Sequence, residues 1–88
     1  MYKLLIVEDD FIIAKGLQKH FEKYHYDVQY IEDFEHVLDD FLEFQPDLVL
    51  LDIHLPFFDG YYWCQEIRKI SQVPIVFISS ANENMNIV

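Results

Sequence analysis

The stretch Leu48-Val49-Leu50-Leu51-Asp52-Ile53-His54-Leu55-Pro56 constrains the fold more than any other part of the chain. Four apolar residues run without interruption into one carboxylate, and a proline follows shortly after. A continuous apolar run bounded by turn residues reads as a strand buried on both faces, as in a parallel sheet. Asp52 then stands at the carboxyl end of that strand, the edge where open α/β sheets bind ligands. An Asp in that place is a nucleophile, a metal ligand or a solvated loop residue.

The neighbouring segments alternate strand with helix. Lys3 to Val7 reads as a first buried strand that stops at three consecutive acids, Glu8-Asp9-Asp10. From Phe11 to about Tyr24, Ile13, Leu17, Phe21 and Tyr24 recur at helical spacing. Asp10 can cap this helix, and Gly16 weakens it or marks a close approach. Asp27 to Ile31 has the half-buried alternation of an edge strand. Glu32-Asp33 starts a second helix that runs to about Phe44, with Val37, Leu38, Phe41 and Leu42 inward. After the organising strand, Pro56 and Asp59-Gly60 mark a turn-rich loop. Tyr61 to Ile70 reads as a third helix and Ile75 to Ile78 as a further buried strand. Asn82 to Val88 has the look of another helix opening.

This pattern predicts a doubly wound parallel α/β sheet with right-handed crossovers. One strand is polar and three are apolar, so the expected order is 2-1-3-4. The switch point falls between the first and third strands. The 88 residues suffice for one small domain, and 52% apolar content is ample for its core. A formal net charge of −10 makes the chain a poor partner for nucleic acid. The lone Cys64 excludes an internal disulfide and reads as a small buried hydrophobe. The four histidines have no metal-ligand spacing. No apolar run is long enough for a membrane span or a signal peptide, so the expected location is cytoplasmic. The aromatic cluster Phe57, Phe58, Tyr61, Tyr62 and Trp63 is expected to be mostly core.

Adjacent first and third strands bring Glu8, Asp9 and Asp52 to one edge. Three packed carboxylates repel and take up protons unless a cation relieves them. Mg²⁺ suits one or two carboxylates together with water and phosphate oxygens. Such a site fits phosphoryl transfer, with a carboxylate attacking phosphorus in line. Ser79, at the end of the next strand, would present a hydroxyl to a phosphoryl group on Asp52.

Three motifs stand in order: Val-Glu-Asp-Asp, then Leu-Leu-Asp-Ile-His-Leu-Pro-x-x-Asp-Gly, then Pro-Ile-Val-Phe-Ile-Ser-Ser. Together they resemble the receiver domain of bacterial two-component response regulators, which has the flavodoxin/CheY-like fold. The resemblance implies that Asp52 is the phospho-acceptor, charged by a sensor histidine kinase. It implies that Asp9 binds Mg²⁺ directly, Glu8 mainly through water, and the His54 backbone carbonyl as a further ligand. Ser79 would be the switch hydroxyl. In this family the first helix docks the kinase, and Ile12, Lys15, Gly16 and Lys19 lie off its core stripe. The stretch from Pro56 to Cys64 is similar to the OmpR-like winged-helix branch, especially Gram-positive regulators answering antimicrobial peptides and envelope stress. Such a domain signals and is not an independent enzyme.

Against the family pattern, residues 1–88 read as the N-terminal part of a receiver, without the fifth strand and last helices. The phosphoryl-gripping Lys and the DNA-binding effector would lie beyond. Ile75–Ile78 would then be an open edge, and self-association by edge pairing or element exchange is expected. The alternative function is an unphosphorylated interaction or decoy module. A haloacid-dehalogenase-like phosphatase needs a second Asp where His54 stands. A flavodoxin-like FMN carrier needs a phosphate loop where Glu8-Asp9-Asp10 would repel one.

Overall fold

A computed structural model describes residues 1–78 and the backbone of residues 86 and 87. The elements are β1 (Lys3–Val7), α1 (Phe11–Glu22), β2 (Asp27–Tyr30), α2 (Val37–Phe44), β3 (Leu48–Asp52), α3 (Gly60–Arg68), β4 (Ile75–Ile78) and β5 (Asn86–Ile87). The sheet order is β2-β1-β3-β4-β5, so the expected 2-1-3-4 arrangement holds. Pairings among the first four strands are parallel. β1 and β3 sit centrally and carry helices on both faces, which is why both are continuous apolar runs. Leu5, Val7, Val49 and Leu51 face one layer with α2 and α3. Leu4, Ile6 and Leu50 face the other with Ala14 of α1 and Val28.

Several local expectations change. β5 pairs antiparallel with β4, Val76 opposite Ile87 and Phe77 opposite Asn86, where the opening of a helix was expected. The open flank of β4 offers unpaired backbone groups, and two residues of the following chain take them. Residues 82–85 and 88 of the expected helix lie outside the described residues. α2 starts at Val37, not at Glu32, because Asp33 competes for the backbone. Its carboxylate accepts from Glu35 N at 3.1 Å and faces His36 Nδ1 at 2.9 Å, a local bonding pattern that replaces the first helical turn. The inner residues of α2 are Val37, Phe41 and Phe44, while Leu42 is 53% exposed. In α1 the buried residue is Ala14 and Ile13 is exposed, and the helix ends at Glu22, leaving the exposed Tyr24 beyond it.

The aromatic cluster is likewise redistributed. Trp63 is core, whereas Phe57, Phe58, Tyr61 and Tyr62 all reach the surface. Cys64 is buried as expected. Gly16 marks no close approach: a methyl group built on it meets nothing within 4 Å. It is simply an exposed glycine in a helix. Gly16→Ala should therefore stabilise the protein by about 0.5–1 kcal/mol, read as a higher urea midpoint at unchanged m-value.

Candidate phosphoryl-transfer site

Parallel pairing in register places Val7 opposite Leu51, so the chain leaves β1 at Glu8 where β3 ends at Asp52. Asp52 is 1% exposed and Glu8 4% exposed, while Asp9 is open to solvent. One carboxylate oxygen from each of Glu8, Asp9 and Asp52 lies within 4.8 Å of the other two. The third acid of the run is diverted. Asp10 caps α1, its Oδ1 accepting from Ile12 N at 3.0 Å and Ile13 N at 3.2 Å, which satisfies two orphan donors of the first turn. Its own N–H donates to Glu8 Oε2 at 3.1 Å and fixes that side chain. Asp52 Oδ1 accepts from His54 N at 3.3 Å.

The electrostatics follow from this packing. Burial is the main force pushing Glu8 up to about 7 from its ordinary 4.5. The neighbouring Asp52 pushes the same way, while the Asp10 N–H partly opposes both. Glu8 thus holds a proton that a cation could replace. Three oxygen donors of full or partial charge form a hard set, which fits Mg²⁺ rather than a thiophilic metal. A cleft of about 200 Å³ opens beside Glu8 and Asp9, walled by Phe11, Tyr30 and Phe34. A larger cavity, of about 480 Å³, lies elsewhere, beside Lys3, Asp27 and Glu43. Lys3 Nζ there is already committed to the Phe44 carbonyl at 3.2 Å.

Comparison with known proteins bears on this arrangement directly. Residues 4–88 match the family described as response regulator receiver domain. The chain belongs to that family. The receiver is 52% identical over 86 residues to the "uncharacterized transcriptional regulatory protein YvcP" of Bacillus subtilis, covering 98% of this chain and 36% of that protein. It is 44% identical over 84 residues to the response regulator protein GraR of Staphylococcus aureus, covering 96% and 38%. It therefore spans little more than a third of these curated relatives. Among solved structures, the N-terminal domain of the nisin resistance regulator NsrR is 44% identical. The TM-score is 0.86, with 98% of this chain and 73% of that one covered. A BeF3-activated receiver domain of RstA from Klebsiella pneumoniae is 33% identical at a TM-score of 0.86, with 93% and 70% covered.

Of the residues singled out in the receiver's sequence, Glu8, Asp9 and Asp52 converge. His54 is exposed and joins through its backbone N–H. Ser79 lies outside the described residues. Sequence reasoning missed one contributor. Gly60 packs so closely on the end of β3 that a methyl group there would stand 2.3 Å from the Asp52 carbonyl oxygen. The Asp-Gly pair signalled only a turn, and nothing in its spacing from Asp52 announces the contact.

Proposed function

We propose that this receiver takes a phosphoryl group from the phosphohistidine of a sensor histidine kinase onto Asp52, with Mg²⁺ as cofactor. The observation that carries this reading is the buried Asp52 carboxylate facing Glu8 and Asp9 at the end of β3. In the reaction an Asp52 carboxylate oxygen forms a bond to phosphorus as the P–N bond breaks, and the electron pair leaves with the donor imidazole. The His54 N–H holds Oδ1 and so orients the attacking group. Asp9 and Glu8 would hold Mg²⁺, together with Asp52 and the His54 backbone carbonyl. The ion supplies charge stabilisation for the phosphoryl oxygens. Ser79 is assigned as the hydroxyl that senses the phosphorylated state.

The exposed face of α1, with Ile12, Lys15, Gly16 and Lys19 at the surface, suits kinase docking. The name of one relative, a transcriptional regulatory protein, supports an output in gene control, and we assign that output to a DNA-binding segment of the OmpR-like branch outside this chain. Among the described residues no helix is long and apolar enough to cross a membrane, and the reading places the protein in the cytoplasm with its kinase.

The test is incubation with acetyl phosphate and Mg²⁺ followed by intact-mass measurement. One phosphoryl adduct is expected, absent in Asp52→Asn. No adduct, or an adduct retained in that variant, overturns the assignment. Self-association also belongs to this reading, because among the described residues β5 covers β4 only opposite Val76 and Phe77. Sedimentation velocity should give a weight-average mass that rises with concentration; a constant monomer mass would dismiss it.

A further inference from the structure

The segment joining Asp52 to α3 carries two unusual features. Phe57 has φ of 69°, and Phe58 N donates to Pro56 O at 2.9 Å across it. Positive φ with an i to i+2 hydrogen bond is the geometry of a classic-type γ-turn, which is rare and strained. A bulky aromatic residue is among the least suited to that backbone region. Its side chain is 69% exposed, so burial of the ring does little to offset the strain. Close by, Trp63 is 4% exposed, and its indole Nε1 finds no acceptor among the described residues. A buried donor left unpaired is a second unfavourable feature of the same arrangement.

The two features are mechanically joined. The Phe58 ring stacks on Tyr62 with centroids 4.3 Å apart, and both rings meet Trp63 edge-on at 5.5 and 4.9 Å. The segment is pinned at its start to Asp52 and at its end to Ile53, the residue after β3, and to α3. At its start, His54 N donates to Asp52 Oδ1 at 3.3 Å. At its end, Gly60 N donates to Ile53 O at 2.8 Å, and Asp59 Oδ1 accepts from Tyr62 N at 2.9 Å. An oxygen of Asp52 thus helps to hold the strained segment.

We propose that Pro56–Asp59 is a two-state element set by the Asp52 carboxylate. In the state described here, Phe57 is strained, Phe58 is stacked on Tyr62, and the Trp63 N–H is unpaired. In the other, Phe57 returns to negative φ, the Phe58–Tyr62 stack opens, and the Trp63 N–H gains water or a loop carbonyl as acceptor. A cation or phosphoryl group drawing on the Asp52 carboxylate weakens the His54 tether and shifts the population to the second state. The exposed aromatic surface of α3 then changes with the occupancy of the site. This coupling rests on the proposed role of Asp52; the two-state turn itself does not.

Trp63 is the only tryptophan, so its indole ¹⁵N–¹H resonance in the full chain reads the element directly. Without metal, relaxation dispersion should detect exchange at that resonance. Phe57→Gly and Phe57→Asn relieve the strain of the first state and should reduce the minor population about fivefold or more. Mg²⁺ should increase that population in the wild type and have little effect in Asp52→Asn. A single, exchange-free indole resonance in the wild type, or identical exchange in both Phe57 variants, overturns the proposal. Exchange that responds to Phe57 but not to Mg²⁺ overturns the coupling. Adduct formation at Asp52 is read separately by mass, so a static turn with a normal adduct leaves the phospho-acceptor reading standing. A two-state turn without an adduct does the reverse.

Discussion

Gly60→Ala is expected to lower stability by about 3 kcal/mol or more, a large fraction of what a domain of this size possesses. The added methyl would meet Asp52 O at 2.3 Å, Asp52 C at 3.0 Å and Ile53 Cα at 3.0 Å. All three are backbone atoms, so no side-chain rotation relieves the contact. Gly60 does not have positive φ, and the requirement is for space rather than for a left-handed backbone. Relief must come from moving α3 off β3 and stretching the bond from Gly60 N to Ile53 O. The melting temperature should fall by roughly 12 °C or more. Because the clash falls on the residue that carries the carboxylate, phosphorylation at a temperature where the variant is still folded should fall further than the folded fraction does. A variant melting within about 3 °C of wild type would contradict the contact. Gly16→Ala, the same substitution in open space, controls for generic glycine effects.

Metal-free protein should lose stability as pH rises from about 4.5 to about 7, and Mg²⁺ should restore it. Glu8 holds its proton up to about 7 when folded, against an ordinary 4.5. Between those values the folded state binds more proton than the unfolded chain, so raising the pH favours unfolding. The effect is complete above about 7 and absent below about 4.5. A shift of this size corresponds to a ceiling of about 3 kcal/mol. Water at the mouth of the site reduces this to roughly 1–2 kcal/mol, or on the order of 10 °C in melting temperature. Mg²⁺ needs the ionised carboxylates, so its stabilisation should grow with pH across the same window. Asp52→Asn removes one source of the repulsion and should flatten the metal-free profile. The exposed Asp33–His36 pair contributes with the opposite sign at the acid end, since Asp33 is lowered by its bond to His36. Thermal melts at pH 5 and pH 7.5, with and without Mg²⁺, decide the matter; equal Mg²⁺ stabilisation at both would refute it.

The sequence made the sheet legible because β1 and β3 are buried on both faces, and β4, fully buried on one face and half-buried on the other, is apolar throughout. Such strands need uninterrupted apolar runs, and the runs at 4–7, 48–51 and 75–78 have no competing helical period. The acid cluster was legible for the same reason, since parallel neighbours must bring their carboxyl ends to one edge. Surface aromatics were not legible. Phe57, Phe58, Tyr61 and Tyr62 have core composition, and only tertiary placement tells that α3 turns Trp63, Cys64 and Ile67 inward instead. The start of α2 was obscured by Asp33, whose side chain satisfies the backbone in a way that residue type alone does not distinguish from helix capping. Phe57 runs against turn chemistry, which favours Gly or Asn at positive φ.

The crossover topology has a kinetic corollary. Lys3 pairs with Asp27, Leu4 with Leu48, and Val49 with Ile75, so none of these neighbours can form as a local hairpin. Chain closure over a whole helix must precede each rung, and early partial structures gain little from the sheet. The acidic pocket lies where the two central strands finish, so it is assembled only when those distant segments meet. A nick within α1 or α2 would therefore cost the protein this pocket as well as its rigidity.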